Sequence, residues 1–239
     1  MIIEGVHIGG FKPASMLERP GLISSIIFAV GCNLRCPFCH NPELISEKSD
    51  VPPYPLSEIM KMLMEKRDWI DSVIFTGGEP TLQPGMEIIM RKVKDEGFQV
   101  GLHTNGTNPL MIDSLLRDKI LSYLAMDIKN SREKYTKTIG TKRINFKRIE
   151  ESIELVKSAG STIDTIFRTT VVPGYVEEAD IDGIGELIKG APAASLQQFR
   201  TLKCLAPELE NAQPYDVEVL HRMADKLEHY VGHVEREFI

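Results

Sequence analysis

Three of the four cysteines in the 239-residue chain, Cys32, Cys36 and Cys39, lie within eight residues of one another. Their C-x3-C-x2-C spacing crowds the thiols into one short loop, which suits a metal or cluster better than a disulfide framework. A cubane iron–sulfur cluster normally takes four cysteine ligands. Three ligands would leave one iron open to a small molecule, much as a catalytic zinc keeps an open position. The spacing therefore predicts a [4Fe–4S] cluster with one free iron.

Two other interpretations of the same residues remain open. In the first, a zinc ion takes His40 as its fourth ligand, although zinc sites usually pair two separated knuckles and no second knuckle is present. In the second, Cys36-Pro37-Phe38-Cys39 is a thioredoxin-like motif, which leaves Cys32 without a role. Cys204 has no partner at metal-ligand spacing, and we expect it to be simply buried.

Short runs rich in apolar or β-branched residues alternate with amphipathic segments along the chain. The runs predict strands at Leu22–Val30, Ser72–Phe75, Gln99–His103, Tyr123–Ile128, Thr165–Val172 and Ser195–Thr201, and a further strand near Ile2–Ile8. Capping and stop signals predict helices at Ser57–Arg67, from Pro84 to near Gly97, from Asn108-Pro109, and at Phe146–Ala159, Glu177–Lys189 and Tyr215–Tyr230. This alternation indicates an α/β fold with a parallel sheet, either doubly wound or a partial barrel.

In both architectures a ligand binds at the carboxyl ends of the strands, and residues suited to chemistry follow several predicted strands. Gly77 and Gly78, in Thr76-Gly77-Gly78-Glu79-Pro80, would allow close approach to a ligand, or would simply form a turn. Asp127 and Lys129 share one strand face and form either a binding pair or a surface ion pair. Arg168 interrupts an apolar run, so it needs an anionic partner if it points inward.

The composition narrows the class of protein further. Hydrophobic residues make up 42% of the chain and charged residues 26%, which is typical of a globular protein with a core. A net charge of −6 does not favour a nucleic-acid binder. No apolar run is long enough to span a membrane and the N-terminus lacks a signal-peptide pattern, so we expect a cytoplasmic protein without nucleic-acid or membrane partners.

The cysteine spacing together with Thr76-Gly77-Gly78-Glu79-Pro80 resembles the radical S-adenosylmethionine (SAM) superfamily. Residues 15–21 and 28–44, and Leu196–Arg200, are similar to the activating proteins of anaerobic (class III) ribonucleoside-triphosphate reductase. A looser similarity to pyruvate formate-lyase activating enzyme covers most of the chain. The match runs from about residue 9 to about residue 203.

The resemblance implies a partial (β/α)6 barrel with outer helices, in a single domain over residues 1–239. Its core spans about 20–203, and a helical extension follows at 204–239. It also implies that SAM chelates the open iron and that one electron from the cluster cleaves SAM to a 5′-deoxyadenosyl radical. The resemblance assigns Gly77, Gly78 and Glu79 to the methionyl ammonium of SAM, Lys129 to its carboxylate, and Asp127 to the ribose or nearby polar atoms. An inward Arg168 would find its anionic partner in the same carboxylate. Asn105 could bond the ribose or form a turn, and Phe38 could stack on the adenine or pack under the cluster.

The resemblance further implies that the radical takes a hydrogen from a glycine of a partner enzyme, most closely anaerobic ribonucleotide reductase. A reductant such as flavodoxin or ferredoxin would supply the electron. Many activases place an acidic residue where His103 stands here, which weakens the expectation of a monovalent-cation site. The alternatives are a pyruvate formate-lyase-type activase, a 7-carboxy-7-deazaguanine synthase, and a non-catalytic iron–sulfur or zinc regulatory protein.

Overall fold

The computed structural model describes residues 5–19, 21–46 and 50–238. The strands are β1 (Ile8–Ser15), β2 (Ser24–Ala29), β3 (Ser72–Gly77), β4 (Gln99–Thr104), β5 (Tyr123–Asp127), β6 (Asp164–Val171), β7 (Ala194–Gln198) and β8 (Val234–Glu237). The helices are α1 (Leu56–Glu65), α2 (Met86–Asp95), α3 (Pro109–Arg117), α4 (Tyr135–Thr138), α5 (Phe146–Ala159), α6 (Ile181–Leu187) and α7 (Val217–Leu227). Short 3-10 helices lie at Pro42–Leu44, Pro80–Leu82, Glu178–Asp180 and Pro207–Asn211.

The strands follow chain order in an eight-stranded sheet, with β1 and β8 at its edges. The first strand pairs antiparallel with β2, whereas β2, β3 and β4 are parallel to one another, as are β6, β7 and β8. Each strand from β2 to β7 is followed by a helix, giving six strand–helix units. The predicted α/β class with a mostly parallel sheet is confirmed, and the sheet is not a closed barrel.

The chain divides into two compact units. The first comprises Met1–Asn33, Glu43–Thr104 and Leu110–Leu124, and the second comprises Leu34–Pro42, Asn105–Pro109 and Ala125–Ile239. In the first unit, the buried side chains of β3 and those of α1 and α2 form the core, with Phe75, Leu63 and Met90 at most 1% exposed. In the second, α5, β6 and α7 contribute buried residues such as Val156, Phe167 and Leu220. Burial of these apolar faces stabilises each unit.

The structure differs from the sequence prediction at three strands. A strand was expected near Ile2–Ile8; residues 1–4 lie outside the described part, and the strand found begins at Ile8 and runs to Ser15. The segment predicted to be a helical extension does contain α7, but it also contains β8. The strand predicted to reach Thr201 ends at Gln198. The sequence of β1 contains Gly-Gly and a proline, and that of β8 contains a single apolar residue. Neither sequence therefore shows the residue pattern of a strand.

Candidate active site

Residues 76–80, at the end of β3 and just after it, form what we call the glycine loop. This loop packs against the end of β2, and its two glycines make the contact possible. Gly77 has a φ of +113°, a conformation that side chains rarely adopt. A Cβ on Gly77 would collide with the main chain of Ala29, and one on Gly78 would collide with the carbonyl oxygen of Gly31. The sequence predicted close approach at these glycines; the approach that the structure shows is that of the chain's own backbone.

The peptide that leads into Cys32 is held from two sides by main-chain hydrogen bonds. On one side the amide of Glu79 donates to the carbonyl oxygen of Gly31 at 2.7 Å. On the other, the amide of Gly31 donates to Leu44 at 2.7 Å and that of Cys32 donates to Ile45 at 2.9 Å. Because these three hydrogen bonds fix two consecutive residues, the backbone of Cys32 is held in a defined position.

Glu79 is almost fully buried, with 1% of its surface exposed. Its Oε1 accepts hydrogen bonds from the amide and the hydroxyl of Thr81, at 3.1 and 2.7 Å, and from the hydroxyl of Thr104 at 2.8 Å. A buried carboxylate requires such donors. Since Thr104 is the last residue of β4, Glu79 ties the glycine loop to the carboxyl end of the neighbouring strand.

The second and third cysteines lie on a turn, in which the amide of Cys39 donates to the carbonyl oxygen of Cys36 at 3.0 Å. The segment that follows β7 packs against this turn. The amide of Leu205 donates to the carbonyl oxygen of Cys39 at 3.1 Å, and the amide of Ala206 donates to that of Pro37 at 2.8 Å. Main-chain bonds therefore hold this turn in place.

His40 and Cys204 lie close to the same turn. The His40 ring stacks on Phe199 with 5.7 Å between centroids, and its Nε2 is 3.0 Å from the carbonyl oxygen of Arg200. Cys204 is buried, as expected, and its thiol donates to the carbonyl oxygen of Leu202. Burial, followed by the Glu210 carboxylate, raises the pKa of the Cys204 thiol. Among the described residues, no three His, Cys, Asp or Glu side chains converge on a position for a single metal ion.

Asp127, the last residue of β5, and Lys129 just after it meet Arg168 of β6, and we call these three residues the charged group. The Lys129 ammonium is 2.8 Å from Asp127 Oδ2, and the Arg168 guanidinium approaches Asp127 Oδ1 at 2.9 Å through Nη2 and 3.1 Å through Nε. These side chains are between 15% and 27% exposed. One carboxylate shared by two cations leaves a net positive charge, which suits an anionic ligand group.

The electrostatics keep Lys129 charged. Burial acts to lower the pKa of its ammonium, but the Asp127 carboxylate and the Cys36 side chain together raise it above its ordinary value. Arg168, for which the sequence required an anionic partner if it pointed inward, has one in Asp127. Asp127 and Lys129 do form an ion pair, as the sequence offered as an alternative. It is not an exposed surface pair, because both side chains are largely shielded from water.

Phe38 and Asn105 have partners within the protein. Phe38 is 6% exposed and its ring lies 6.2 Å from that of Tyr175, in a tilted arrangement. The side-chain oxygen of Asn105 accepts hydrogen bonds from the amide and the hydroxyl of Thr107, at 3.0 and 2.7 Å. Asn105 therefore forms the turn that the sequence offered as its alternative role. Their roles toward adenine and ribose stay predictions.

Two buried residues beside the charged group were not found from the sequence. Asn130 is fully buried, and its amide donates to the hydroxyl of Thr138 at 2.9 Å and to the carbonyl oxygen of Tyr175 at 2.7 Å. Its position next to Lys129, at the end of a strand, was a signal that could have been used. Tyr135 is also fully buried, and burial raises the pKa of its phenol despite the opposing charge of Lys129. No sequence pattern marked Tyr135.

The chemistry of these residues suits the groups that the sequence predicted. Thiolates are the usual protein ligands of iron–sulfur clusters, and Cys32, Cys36 and Cys39 could hold one. The shielded cations at Lys129 and Arg168 could hold a carboxylate.

The radical SAM superfamily matches residues 26–184 of the chain, which is more than half of its length. The chain therefore belongs to the radical SAM superfamily and is a radical SAM enzyme, whose cofactors are a [4Fe–4S] cluster and SAM. Within the superfamily it is related to the glycyl-radical enzyme activating branch.

Two relatives illustrate that relationship. A Methanocaldococcus jannaschii protein, provisionally named a glycyl-radical enzyme activating enzyme, is 31% identical over 198 residues, covering 80% of this chain and 79% of the relative. The pyruvate formate-lyase-activating enzyme of Clostridium pasteurianum is 25% identical over 195 residues, covering 79% of this chain and 78% of the relative.

A radical SAM methyltransferase structure from Sphaerobacter thermophilus superposes with a TM-score of 0.70 at 16% identity, covering 92% of this chain and 67% of that one. The last similarity supports the fold alone.

Proposed function

We propose that this chain is a glycyl-radical enzyme activating enzyme and that its partner is anaerobic ribonucleoside-triphosphate reductase. The observation that carries the proposal is the 31% identity with an activating-enzyme relative across most of both chains. The choice of partner rests on residues 15–21, 28–44 and 196–200, which resemble the activating proteins of that reductase.

The main-chain framework of the first unit supports two parts of the proposed site. Cys32 would be one of three cluster ligands, and the hydrogen bonds on both sides of Gly31 would hold it in place. The main chain of Gly77 and Gly78 would receive the methionyl ammonium of SAM, with Glu79 as the brace behind it. When bound, the reduced cluster and SAM supply the radical that abstracts hydrogen.

Further roles are proposed for residues of the second unit. Cys36 and Cys39 would also be cluster ligands, and Lys129 and Arg168 would bind the SAM carboxylate. Asp127 holds both cations in position and would face the ribose. Asn105 is proposed at the ribose and Phe38 at the adenine, in addition to the contacts that they make within the protein.

The cysteine count explains why we propose a protein substrate. One cysteine remains outside the cluster motif, which is too few for an auxiliary cluster of the kind that peptide maturases carry. A glycyl-radical activase needs no such cluster, because its partner protein brings the reacting glycine. We propose further that residues 1–239 form one radical SAM domain, with its core at about 20–203 and residues 204–239 as an extension.

The proposal extends to the surroundings of the enzyme. In the described part of the chain, no helix has the length and apolar character needed to cross a bilayer. We propose that the protein works in the cytoplasm, where a flavodoxin or ferredoxin would reduce it.

Anaerobic reconstitution tests the function directly. The protein is loaded with iron and sulfide, reduced with dithionite and given SAM, and 5′-deoxyadenosine and methionine are measured. Adding the reductase should then produce a glycyl doublet in the electron paramagnetic resonance spectrum. A doublet on pyruvate formate-lyase alone would move the proposal to that partner. Turnover of a carboxytetrahydropterin would indicate a deazaguanine synthase, and an intact SAM pool would indicate a non-catalytic protein.

A further inference from the structure

Positive charge is concentrated in three segments of the second unit, at residues 35–42, 137–145 and 199–206. They contain six of the 28 basic residues of the chain and none of its 34 acidic residues. The six are Arg35, Lys137, Lys142, Arg143, Arg200 and Lys203, and all six are exposed. In a chain with a net charge of −6, this local excess of positive charge suits an acidic partner.

The three segments lie side by side because they share main-chain contacts. The amide of Arg35 donates to the carbonyl oxygen of Ile139 at 2.9 Å. The amides of Leu205 and Ala206 donate to the carbonyl oxygens of Cys39 and Pro37, at 3.1 and 2.8 Å. The basic residues therefore flank the turn that carries two of the proposed cluster ligands. We call this region, formed by the three segments, the basic surface.

The basic surface also has exposed apolar residues. Leu202 is 57% exposed and Leu205 is 37% exposed, and they lie on either side of Lys203 in the chain. An apolar centre with a charged rim is typical of protein interfaces. Beyond residue 206 the chain becomes acidic, and the carboxylate of Glu210 accepts a hydrogen bond from the amide of Cys204, so one acidic side chain contacts the basic surface at this segment.

We propose that the basic surface docks a small acidic one-electron carrier protein of the flavodoxin or ferredoxin kind. The inference rests on the radical SAM chemistry of the proposed function. In the step concerned, one electron passes from the reduced carrier to the cluster, so the carrier is oxidised by one electron, the cluster is reduced by one, and no bond forms or breaks. Opposite charges would steer the encounter, and electron-transfer complexes of this kind are usually small and weak.

The position of the basic surface favours the carrier over the glycyl-radical partner as its occupant. A carrier has only to approach the cluster, and the surface is bonded to the main chain of the ligand turn. The glycyl-radical partner must instead bring a glycine to SAM, whose proposed contacts Lys129 and Arg168 are only 17% and 15% exposed.

Two double charge reversals test the proposal on the reconstituted protein: Arg200→Glu with Lys203→Glu, and Lys142→Glu with Arg143→Glu. The control is Lys61→Glu with Lys189→Glu, which changes the net charge equally at side chains that are 74% and 63% exposed on α1 and just after α6. The first measurement is the Kd of an acidic flavodoxin and of an acidic ferredoxin, by calorimetry at low and high salt. The second is the rate of cluster reduction by each reduced carrier and by dithionite.

We expect each basic-surface variant to weaken carrier binding at least about tenfold at low salt, with the difference shrinking at high salt. Reduction by the carrier should slow in proportion, while dithionite-driven SAM cleavage stays at the wild-type rate and the control behaves as wild type. Unchanged Kd values, or no binding of either carrier to the wild type, would overturn the proposal. So would loss of binding to the glycyl-radical partner with carrier binding intact. Failure of the wild type to cleave SAM with dithionite would instead count against the proposed function.

Discussion

The glycine loop at the end of β3 and the charged group of Asp127, Lys129 and Arg168 are suited to a ligand in different ways. The loop relies on main-chain packing, and its two glycines leave no space for a side chain. The charged group relies on side chains, with one carboxylate holding two cations. Substitutions in the loop should therefore lower the stability of the fold, whereas substitutions in the charged group should lower the affinity for the ligand.

The comparison also explains why one region was easier to find in the sequence. Main-chain contacts restrict residue identity severely, so the loop appears as the specific string Thr76-Gly77-Gly78-Glu79-Pro80. Ionic contacts depend on which residues the fold brings together, and Asp127 and Arg168 are 41 positions apart. A motif search detects the first kind of site. The sequence marked Asp127, Lys129 and Arg168 one by one, but only the structure shows that the three side chains meet.

The largest expected effect is the loss of the cluster on substitution of a proposed cluster ligand, which provides a reference for both regions. Cys36→Ala should abolish the cubane absorbance and all SAM cleavage, because one of three thiolates is lost. Cys204→Ala is the matched control, since its thiol is buried and bonded to a carbonyl oxygen. Iron and sulfide content and the visible spectrum after anaerobic reconstitution measure the outcome. A normal cluster in the Cys36 variant would refute the ligand assignment.

The next largest effect tests the glycine loop. Gly78→Ala places a methyl group against the carbonyl oxygen of Gly31, so the loop or the peptide before Cys32 must move. We expect a loss of about 3 kcal/mol in the free energy of unfolding, measured with denaturant, together with poor cluster loading.

Gly10→Ala, in β1, is the control for that substitution, because the nearest atoms to its Cβ position belong to the Phe28 side chain at ordinary contact distances of 3.6 Å or more. It should change stability by less than about 1 kcal/mol. Equal losses in the two variants would mean that the packing of Gly78 on Gly31 has no special importance.

The charged group should show the opposite behaviour. Lys129→Met removes a cation but keeps Arg168 on the Asp127 carboxylate, so folding and cluster content should be preserved. We expect SAM binding to weaken by about tenfold, which corresponds to about 1.4 kcal/mol. Lys134→Met is the control, because that ammonium pairs with Glu177 and Asp180 instead. If SAM binds both variants as it binds the wild type, Lys129 does not contact the carboxylate.

The sequence predicted the repeating part of the fold well because each unit carries its own signals. The helix at Phe146–Ala159 was predicted to the residue from Asn145 before it and Gly160 after it, although the Asn145 side chain makes no capping bond. The six central strands were found within a few residues because their side chains are buried on both faces and read as apolar runs. The edge strands β1 and β8 form by pairing with a neighbour, and pairing leaves no pattern in their own residues.

The site was predictable to the extent that it is local in the chain. The cysteines and the glycine loop are contiguous strings, and Asp127 and Lys129 share a strand end. The bond from Thr104 to Glu79 and the bond from Asn130 to Tyr175 join residues that are 25 and 45 positions apart. A single sequence contains no information on which of many polar residues will meet at that range.

The smallest expected effect concerns the bond from Thr104 to Glu79, which links the glycine loop to β4. Thr104→Val removes one of three donors to a buried carboxylate oxygen and should cost about 1 to 2 kcal/mol of stability. Thr104→Ser keeps the hydroxyl and should restore most of the loss. If Glu79 positions the loop for SAM, the valine variant should also bind SAM more weakly under conditions where it is fully folded. A stability loss with unchanged SAM affinity would limit Glu79 to a role in folding. The glycine loop would then affect stability alone, and the charged group would affect SAM binding alone.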